Sequence, residues 1–252
     1  MAWALTSSLA ATKIGRGGKR CQCGRRRYAA GVSSPTPVAG SFAELVDRAS
    51  ALAARSGRAL LGLAGSPGAG KSTLAAALLS AIPAGHVPMD GFHLADVALR
   101  ALGRLAAKGA PDTFDVGGYL ALLRRLRDPV EDVVYAPAFE RDLEQPLAGA
   151  IAVAPDAGLV VTEGNYLLLP DGRWPLVRAE LDEVWFCDPD PDVRTARLVA
   201  RHVRFGKAPD AARAWVAAVD VPNADAVQAT RDRADLIVPG SVLDALPAPT
   251  VD

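Results

Sequence analysis

The chain has 252 residues, half of them hydrophobic and 22% charged, which supports one sizeable core or two small ones and excludes a disordered, collagen-like or disulfide-stapled chain. No apolar run of membrane-spanning length escapes interruption by a charge, Pro or Gly, and three cysteines form no disulfide framework, so a reducing compartment, by default the cytoplasm, is expected, with no membrane partner. Formal charge is zero, yet the seven basic groups of residues 1–40 face no acid, while residues 41–252 carry 21 basic against 28 acidic groups, a net of −7 that argues against a nucleic-acid partner.

Residues 1–40 mix Gly, Ser, Ala and Arg without apolar periodicity and read as a disordered basic tail. Three origins stand open: a solvated extension or a start assigned too far upstream, an Arg-rich, acid-poor transit peptide, and a Cys21-x-Cys23 metal site that two thiolates alone cannot complete. The order of apolar and charged residues is the reverse of a secretory signal's. From Ser41 the pattern becomes regular. Ser41 with Glu44 makes a capping box, and Phe42, Leu45, Val46, Ala49, Leu52 and Ala53 recur at helical spacing. An apolar run at Ala59–Ala64 predicts a strand, and a helix follows over 71–81. Four more apolar segments read as buried strands, at 86–89, 159–162, 183–187 and 236–238, between helical patterns at 94–107, 116–127, 174–180, 190–204, 209–218 and 223–233. The alternation predicts an α/β domain over 41–252, a central parallel five-stranded sheet with helices on both faces.

Gly65-Ser66-Pro67-Gly68-Ala69-Gly70-Lys71-Ser72 fits G-x-x-x-x-G-K-[ST] between a predicted strand and a predicted helix, the context that a phosphate-cradling P-loop requires. Glycines let backbone N–H groups of Gly65, Ser66, Gly68, Ala69, Gly70 and the first helical residues, through Thr73, converge on phosphate oxygens. Lys71 is expected on the β- and γ-phosphates and the Ser72 hydroxyl on Mg²⁺. Only Lys71, Lys108 and Lys207 occur after residue 40 in a chain that otherwise prefers Arg.

Asp90 follows the second strand, where parallel strands present their loops to a nucleotide, and can take a proton from an attacking hydroxyl or cap a helix starting near His93. His93 reads equally as a substrate contact and as a capping or core histidine. Glu163 ends the third strand and is expected to hold Mg²⁺ directly or through water, with a solvated strand-end Glu as the alternative. The GTPase motifs Asp-x-x-Gly and Asn-Lys-x-Asp are missing, as is the Leu-Ser-Gly-Gly-Gln signature of transporter ATPases. Arg194, Arg197, Arg201 and Arg204 share one face of a helix and need anions, either phosphates or nearby acids such as Asp188, Asp190 and Asp192.

The P-loop, Met-Asp-Gly-Phe-His at 89–93, Glu-Gly-Asn-Tyr at 163–166 and the Arg-rich helix together resemble the phosphoribulokinase and uridine kinase superfamily, which includes bacterial pantothenate kinase. The runs GAPDTFDVGGY, YAPAFERDLEQP and EGNYLLL look most like its fructose transport system kinase or nucleoside/nucleotide kinase-like branch. The resemblance implies a P-loop NTPase fold with a helical lid, spanning about 41–240, and ATP-dependent transfer of the γ-phosphoryl group to a hydroxyl of a small metabolite. The acceptor classes it leaves open are sugar, pantothenate-like and nucleoside. It implies Asp90 as the base, Phe139, Arg141 and Tyr166 around the acceptor, Arg197, Arg201 and Arg204 in the lid acting on phosphoryl oxygens, and Asn223 beside the nucleotide. Glu140 after Phe139 replaces the family's usual Tyr-Asp pair and points away from a nucleoside, while Arg141 and His93 suit an acceptor bearing carboxylate or phosphate. The resemblance leaves a homodimer open, and the competing reading is an ATP-binding regulatory module without transfer activity.

Overall fold

The computed structural model describes residues 36–128 and 132–246. The tail expectation for residues 1–35, including the Cys21-x-Cys23 pair, lies outside the described residues. In chain order the elements are α1 (Phe42–Ala53), β1 (Ala59–Ala64), α2 (Lys71–Ala81), β2 (Gly85–His86), α3 (Asp96–Ala101), α4 (Val116–Arg127), β3 (Val134–Glu140), β4 (Gln145–Val153), β5 (Leu159–Gly164), α5 (Trp174–Glu180), β6 (Glu183–Asp188), α6 (Pro191–Arg204), α7 (Pro209–Trp215), α8 (Val221–Gln228), β7 (Leu236–Pro239) and α9 (Gly240–Leu243).

All five expected strands join one parallel sheet in the order β2-β5-β1-β6-β7. Its centre, β1 and β5, is buried along its whole length, which is why both strands read as unbroken apolar runs rather than as an alternation. Successive side chains pack on opposite faces. Leu60, Val160, Val184 and Ile237 meet α4 and α5 through Tyr119, Leu123 and Val177, whereas Leu61, Leu63, Val161 and Trp185 meet α1 and α2 through Leu45, Leu52, Leu74 and Leu78. Capping follows the sequence: Ser41 accepts from the Glu44 N–H, Asp115 from Gly118, and Asp190 from Asp192 and Val193. At the β7 edge, Ala39 donates to the Ile237 carbonyl and Ile237 to that of Pro37, so residues 37–39 cover groups that would otherwise be unpaired.

The structure corrects several element expectations. The predicted helix over 94–107 is α3 followed by a 3-10 turn at Leu105–Ala107, because Gly103 adopts φ 66° and breaks it. The helix over 209–218 is α7 running into a π-helical turn at Val216–Asp220, and the one over 223–233 starts at Val221 and ends at Gln228, with a separate 3-10 turn at Arg231–Arg233. The strand expected over 86–89 is observed only as β2, Gly85–His86, since Pro88 has no N–H to continue the ladder and Met89–Phe92 form a 3-10 turn. An antiparallel hairpin, β3 with β4, was not expected at all.

One polar chain inside the core fixes β2 against β5. The Thr162 hydroxyl donates to the Val87 carbonyl at 2.6 Å, and because that carbonyl can only accept, the Tyr119 O–H must donate to Thr162 Oγ1. All three side chains are fully buried. Thr162→Val keeps the shape but leaves Val87 and Tyr119 without partners, so urea denaturation should show a loss of about 1–3 kcal/mol, with Tyr119→Phe less damaging.

Candidate active site

The loop after β1 turns through Gly65, Gly68 and Gly70 at φ 147°, 77° and 91°, backbone states that L side chains rarely adopt. Space is as restrictive as conformation: a Cβ at Gly65 would sit 2.8 Å from the Cys187 carbonyl on β6, and one at Gly68 2.9 Å from Leu198 on α6. The loop is therefore clasped between the end of β6 and the face of α6. Gly70 caps α2 without a side chain, so no side-chain acceptor satisfies the first-turn N–H groups and they remain available to an anion.

Lys71 is buried, and its ammonium donates to the carbonyls of Gly65 at 2.9 Å and Ser66 at 3.1 Å and to Asn165 Oδ1 at 2.7 Å. Burial pushes its pKa down, an effect partly offset by the nearby Glu163 carboxylate. The Ser72 hydroxyl donates to Glu163 Oε1 at 3.0 Å. Burial, and next the charge of Asp90, push the Glu163 pKa up, so this carboxylate sits where a cation would be welcome. Among the described residues no group of three His, Cys, Asp or Glu can hold a metal. Ser72 and Glu163 thus fit an ion that takes few protein ligands and the rest from water and phosphate, the habit of Mg²⁺.

Asp90 sits in the 3-10 turn after β2 rather than capping a helix, since α3 begins six residues later with Ala95 before its first turn. Its neighbour Gly91 packs on the Pro137 carbonyl, where β3 bulges between Ala136 and Ala138. That docking brings the hairpin over the turn. Arg141 Nη2 then lies 3.9 Å from Asp90 Oδ2, and the Phe139 ring centroid lies 4.7 Å from that of His93, whose other side meets Phe114 at 4.1 Å. His93 Nδ1 is 2.7 Å from the Asp90 carbonyl, which can only accept, so Nδ1 carries the proton. Burial pushes the His93 pKa down, leaving a neutral ring whose Nε2 offers a lone pair. Tyr166 walls the same pocket, but its hydroxyl is committed to the Gly109 carbonyl at 2.6 Å.

A cleft of about 880 Å³ joins these groups. Gly68, Ala69, Gly70, Lys71, Ser72, Thr73, Asp90, His93, Phe139, Arg141, Glu163, Tyr166, Arg197, Arg201 and Asn223 all line it. Gly65 and Ser66 do not. They turn their carbonyls to Lys71, and Ser66 Oγ donates to the Ala224 carbonyl at 3.2 Å. Arg204 does not line the cleft either and is exposed in the last turn of α6, although His202, Phe205 and Lys207 around it reach the cleft. Arg197 pairs with Asp244 at 2.7 Å, and Arg201 is near enough to act on the charge of Lys71. Sequence reasoning assigned no role to Asn165, Lys108, His202, Lys207, Trp215 and Asp220, which also reach or border this space. Two signals were present, because Asn165 falls inside the Glu-Gly-Asn-Tyr motif and all three lysines after residue 40 face the cleft.

No family model matches the chain. An ATP-dependent kinase-like protein of Aspergillus versicolor is 35% identical over 162 residues, covering 61% of this chain and 94% of that protein. A provisionally named uridine kinase of Schizosaccharomyces pombe is 34% identical over 184 residues, 68% of this chain and 77% of its own. The crystal structure of a provisionally named fructose transport system kinase from Silicibacter sp. TM1040 superposes with a TM-score of 0.72 at 36% identity, over 80% of this chain and all of that one. The chain belongs to the P-loop kinases of the uridine kinase and phosphoribulokinase type. Membership agrees with the resemblance carried by the motifs and with the parallel five-stranded sheet. Among the described residues of this P-loop kinase, no helix is long and apolar enough to cross a membrane.

The hairpin's placement rests on Gly91. In Gly91→Ala the new Cβ overlaps the Pro137 carbonyl, so the hairpin must shift. Hydrogen exchange should then accelerate across 134–153 while protection in β1, β5 and β6 stays as in the parent chain; unchanged exchange in the hairpin would show that it is held by other contacts.

Proposed function

We propose that this kinase transfers the γ-phosphoryl group of ATP to a hydroxyl of a small metabolite, and that Asp90 is the base. The observation that carries the reading is convergence in one cleft: a phosphate-binding loop with its lysine and metal-side acid at one end, a carboxylate in the middle, and an aromatic and cationic pocket beyond it. A regulatory module without chemistry would need neither Asp90 nor that pocket.

Phosphoryl transfer asks the protein mainly for positioning and for charge where charge develops. On arrival of phosphates, the Lys71 ammonium exchanges protein carbonyls for phosphate oxygens, losing no hydrogen bonds in the exchange. Ser72 and Glu163 would hold Mg²⁺, which neutralises charge on the β- and γ-oxygens when bound. Asp90 orients the acceptor hydroxyl and takes its proton as the oxygen attacks. Half-exposed and within 4 Å of Arg141, it stands at the boundary between the phosphate end and the pocket. Arg201 closes over the transferring group from α6, next to Lys71. Asn223 and Arg197 flank the nucleotide on the same side. Phe139, Arg141, His93 and Tyr166 surround the acceptor.

The test is a set of single substitutions assayed for both nucleotide binding and turnover. Asp90→Asn should bind ATP like the parent and lose about 10²–10⁴ in kcat, the usual contribution of a general base. Lys71→Ala should weaken both. Equal turnover of Asp90→Asn and the parent would remove Asp90 from the reaction. Between the two lid arginines, Arg201→Ala should lower kcat on the order of 10³, in the range of arginines that act on a transferring phosphoryl group, whereas Arg204→Ala should leave it unchanged.

A further inference from the structure

The far end of the cleft holds two cations that phosphoryl transfer itself does not use, Lys108 and Arg141, with Asp96 and Glu144 as their acidic neighbours. Lys108 reaches it from the loop before α4, with its side chain only 18% exposed. Its ammonium donates to Asp96 Oδ1 at 2.8 Å and to the Glu144 carbonyl, and lies 5.5 Å from the Phe139 ring centroid. An ammonium has three N–H donors, and the third has no hydrogen-bond partner among the described residues. Arg141 faces the same space from the hairpin. Among the described residues its guanidinium makes no hydrogen bond, since Asp90 at 3.9 Å is beyond hydrogen-bond range. His93 lines the same space beside Phe139, with its Nδ1 on the Asp90 carbonyl and its Nε2 an acceptor without a hydrogen-bond partner among the described residues.

These groups set a two-part requirement. Asp90 and Glu163 make the middle of the cleft negative, so an anion bound there would be repelled, whereas Lys108 and Arg141 would welcome one beyond them. A neutral molecule seated there would cover the third N–H of the largely covered Lys108 ammonium without satisfying it and would leave the exposed Arg141 fork to water, and an unpaired charged donor shut away from water is costly. A ring nitrogen with only a lone pair asks for a hydroxyl. We propose that the acceptor is an anionic polyol, a hydroxylated carbon chain bearing a carboxylate or a phosphate, with the anion on Lys108 and Arg141 and a hydroxyl donating to His93 Nε2. This rests on the kinase reading above and names the substrate class for the same site. Lys108 and Arg141 are then its specificity-determining residues.

The test compares acceptors that differ in charge: glycerate with glycerol, gluconate with glucitol, and ribulose 5-phosphate with ribulose, each with the full chain and Mg-ATP. Binding of a fluorescent ATP analogue is followed separately: turnover of no acceptor while nucleotide binds is failure of the kinase reading itself, whereas turnover of a neutral member as good as its charged partner is failure of this proposal alone. A charged member should be turned over with kcat/KM about tenfold or more above its neutral partner, as loss of one charge-assisted hydrogen bond implies, and the carboxylate and phosphate pairs distinguish which anion the site takes. Arg141→Gln, which loses no hydrogen bond among the described residues, should raise KM for that acceptor about 10- to 100-fold and erase the preference, with nucleotide affinity unchanged. Lys108→Gln should do the same and Lys108→Arg should restore much of it; if Lys108→Gln fails to fold, Arg141→Gln decides. Turnover of a neutral member as good as its charged partner, turnover of none with ATP still bound, or a preference that survives Arg141→Gln would overturn the proposal.

Discussion

A buried ammonium is tolerable only if each of its protons finds an acceptor, and the site is organised around how Lys71 meets that condition. Its partners come from different parts of the chain: the carbonyls of Gly65 and Ser66 from the loop after β1, and the amide oxygen of Asn165 from just past β5. The same loop is pressed against the Cys187 carbonyl at the end of β6. One lysine thus ties the curvature of the loop to the central strands. Because the protein carbonyls already occupy the positions of acceptors, the loop keeps its shape without a ligand, and little reorganisation remains for the moment when phosphate replaces them.

Strand order converts that local arrangement into an active site. With β2 beside β5 and β5 beside β1, Asp90, Glu163 and the P-loop stand in a row at the carboxyl ends of adjacent parallel strands, the side on which open α/β sheets bind their ligands. The charge of Asp90 disfavours that of Glu163, and Lys71 and Arg141 act against that effect. The sheet also separates duties. Its continuation through β6 supplies α6, whose Leu198 packs on Gly68 and whose Arg197 and Arg201 overhang the phosphate end, while the β3–β4 hairpin and the loop around Lys108 build the acceptor end.

What could be read from sequence follows from the physics of each element. The bounds of α4 and α5 and all five strands of the sheet were legible because burial imposes apolar runs or a helical period, and the P-loop because its glycines and Lys71 have no substitutes at those positions. The hairpin was hidden. One of its faces is exposed along much of β4, Pro137 and Pro146 read as strand breakers, and Gly149 as a turn, although Pro137 and Gly149 fall at the bulge and pairing tolerates Pro146. Arg204 shares the helical spacing of Arg197 and Arg201 but stays exposed outside the cleft, a difference that spacing alone does not carry. Lys108 finds its partner Glu144 thirty-six residues further on, a juxtaposition that only the folded hairpin creates, and nothing in its neighbours announced it.

The most direct measurement is a crystal structure of the full chain with a non-hydrolysable ATP analogue and Mg²⁺. The account predicts the Lys71 ammonium moved from the Gly65 and Ser66 carbonyls onto β- and γ-phosphate oxygens, Ser72 Oγ turned from Glu163 to the metal, and Asp90 facing an open pocket between the γ-phosphate and Arg141. Nucleotide bound elsewhere, or bound with Lys71 still capping its own loop, would contradict it.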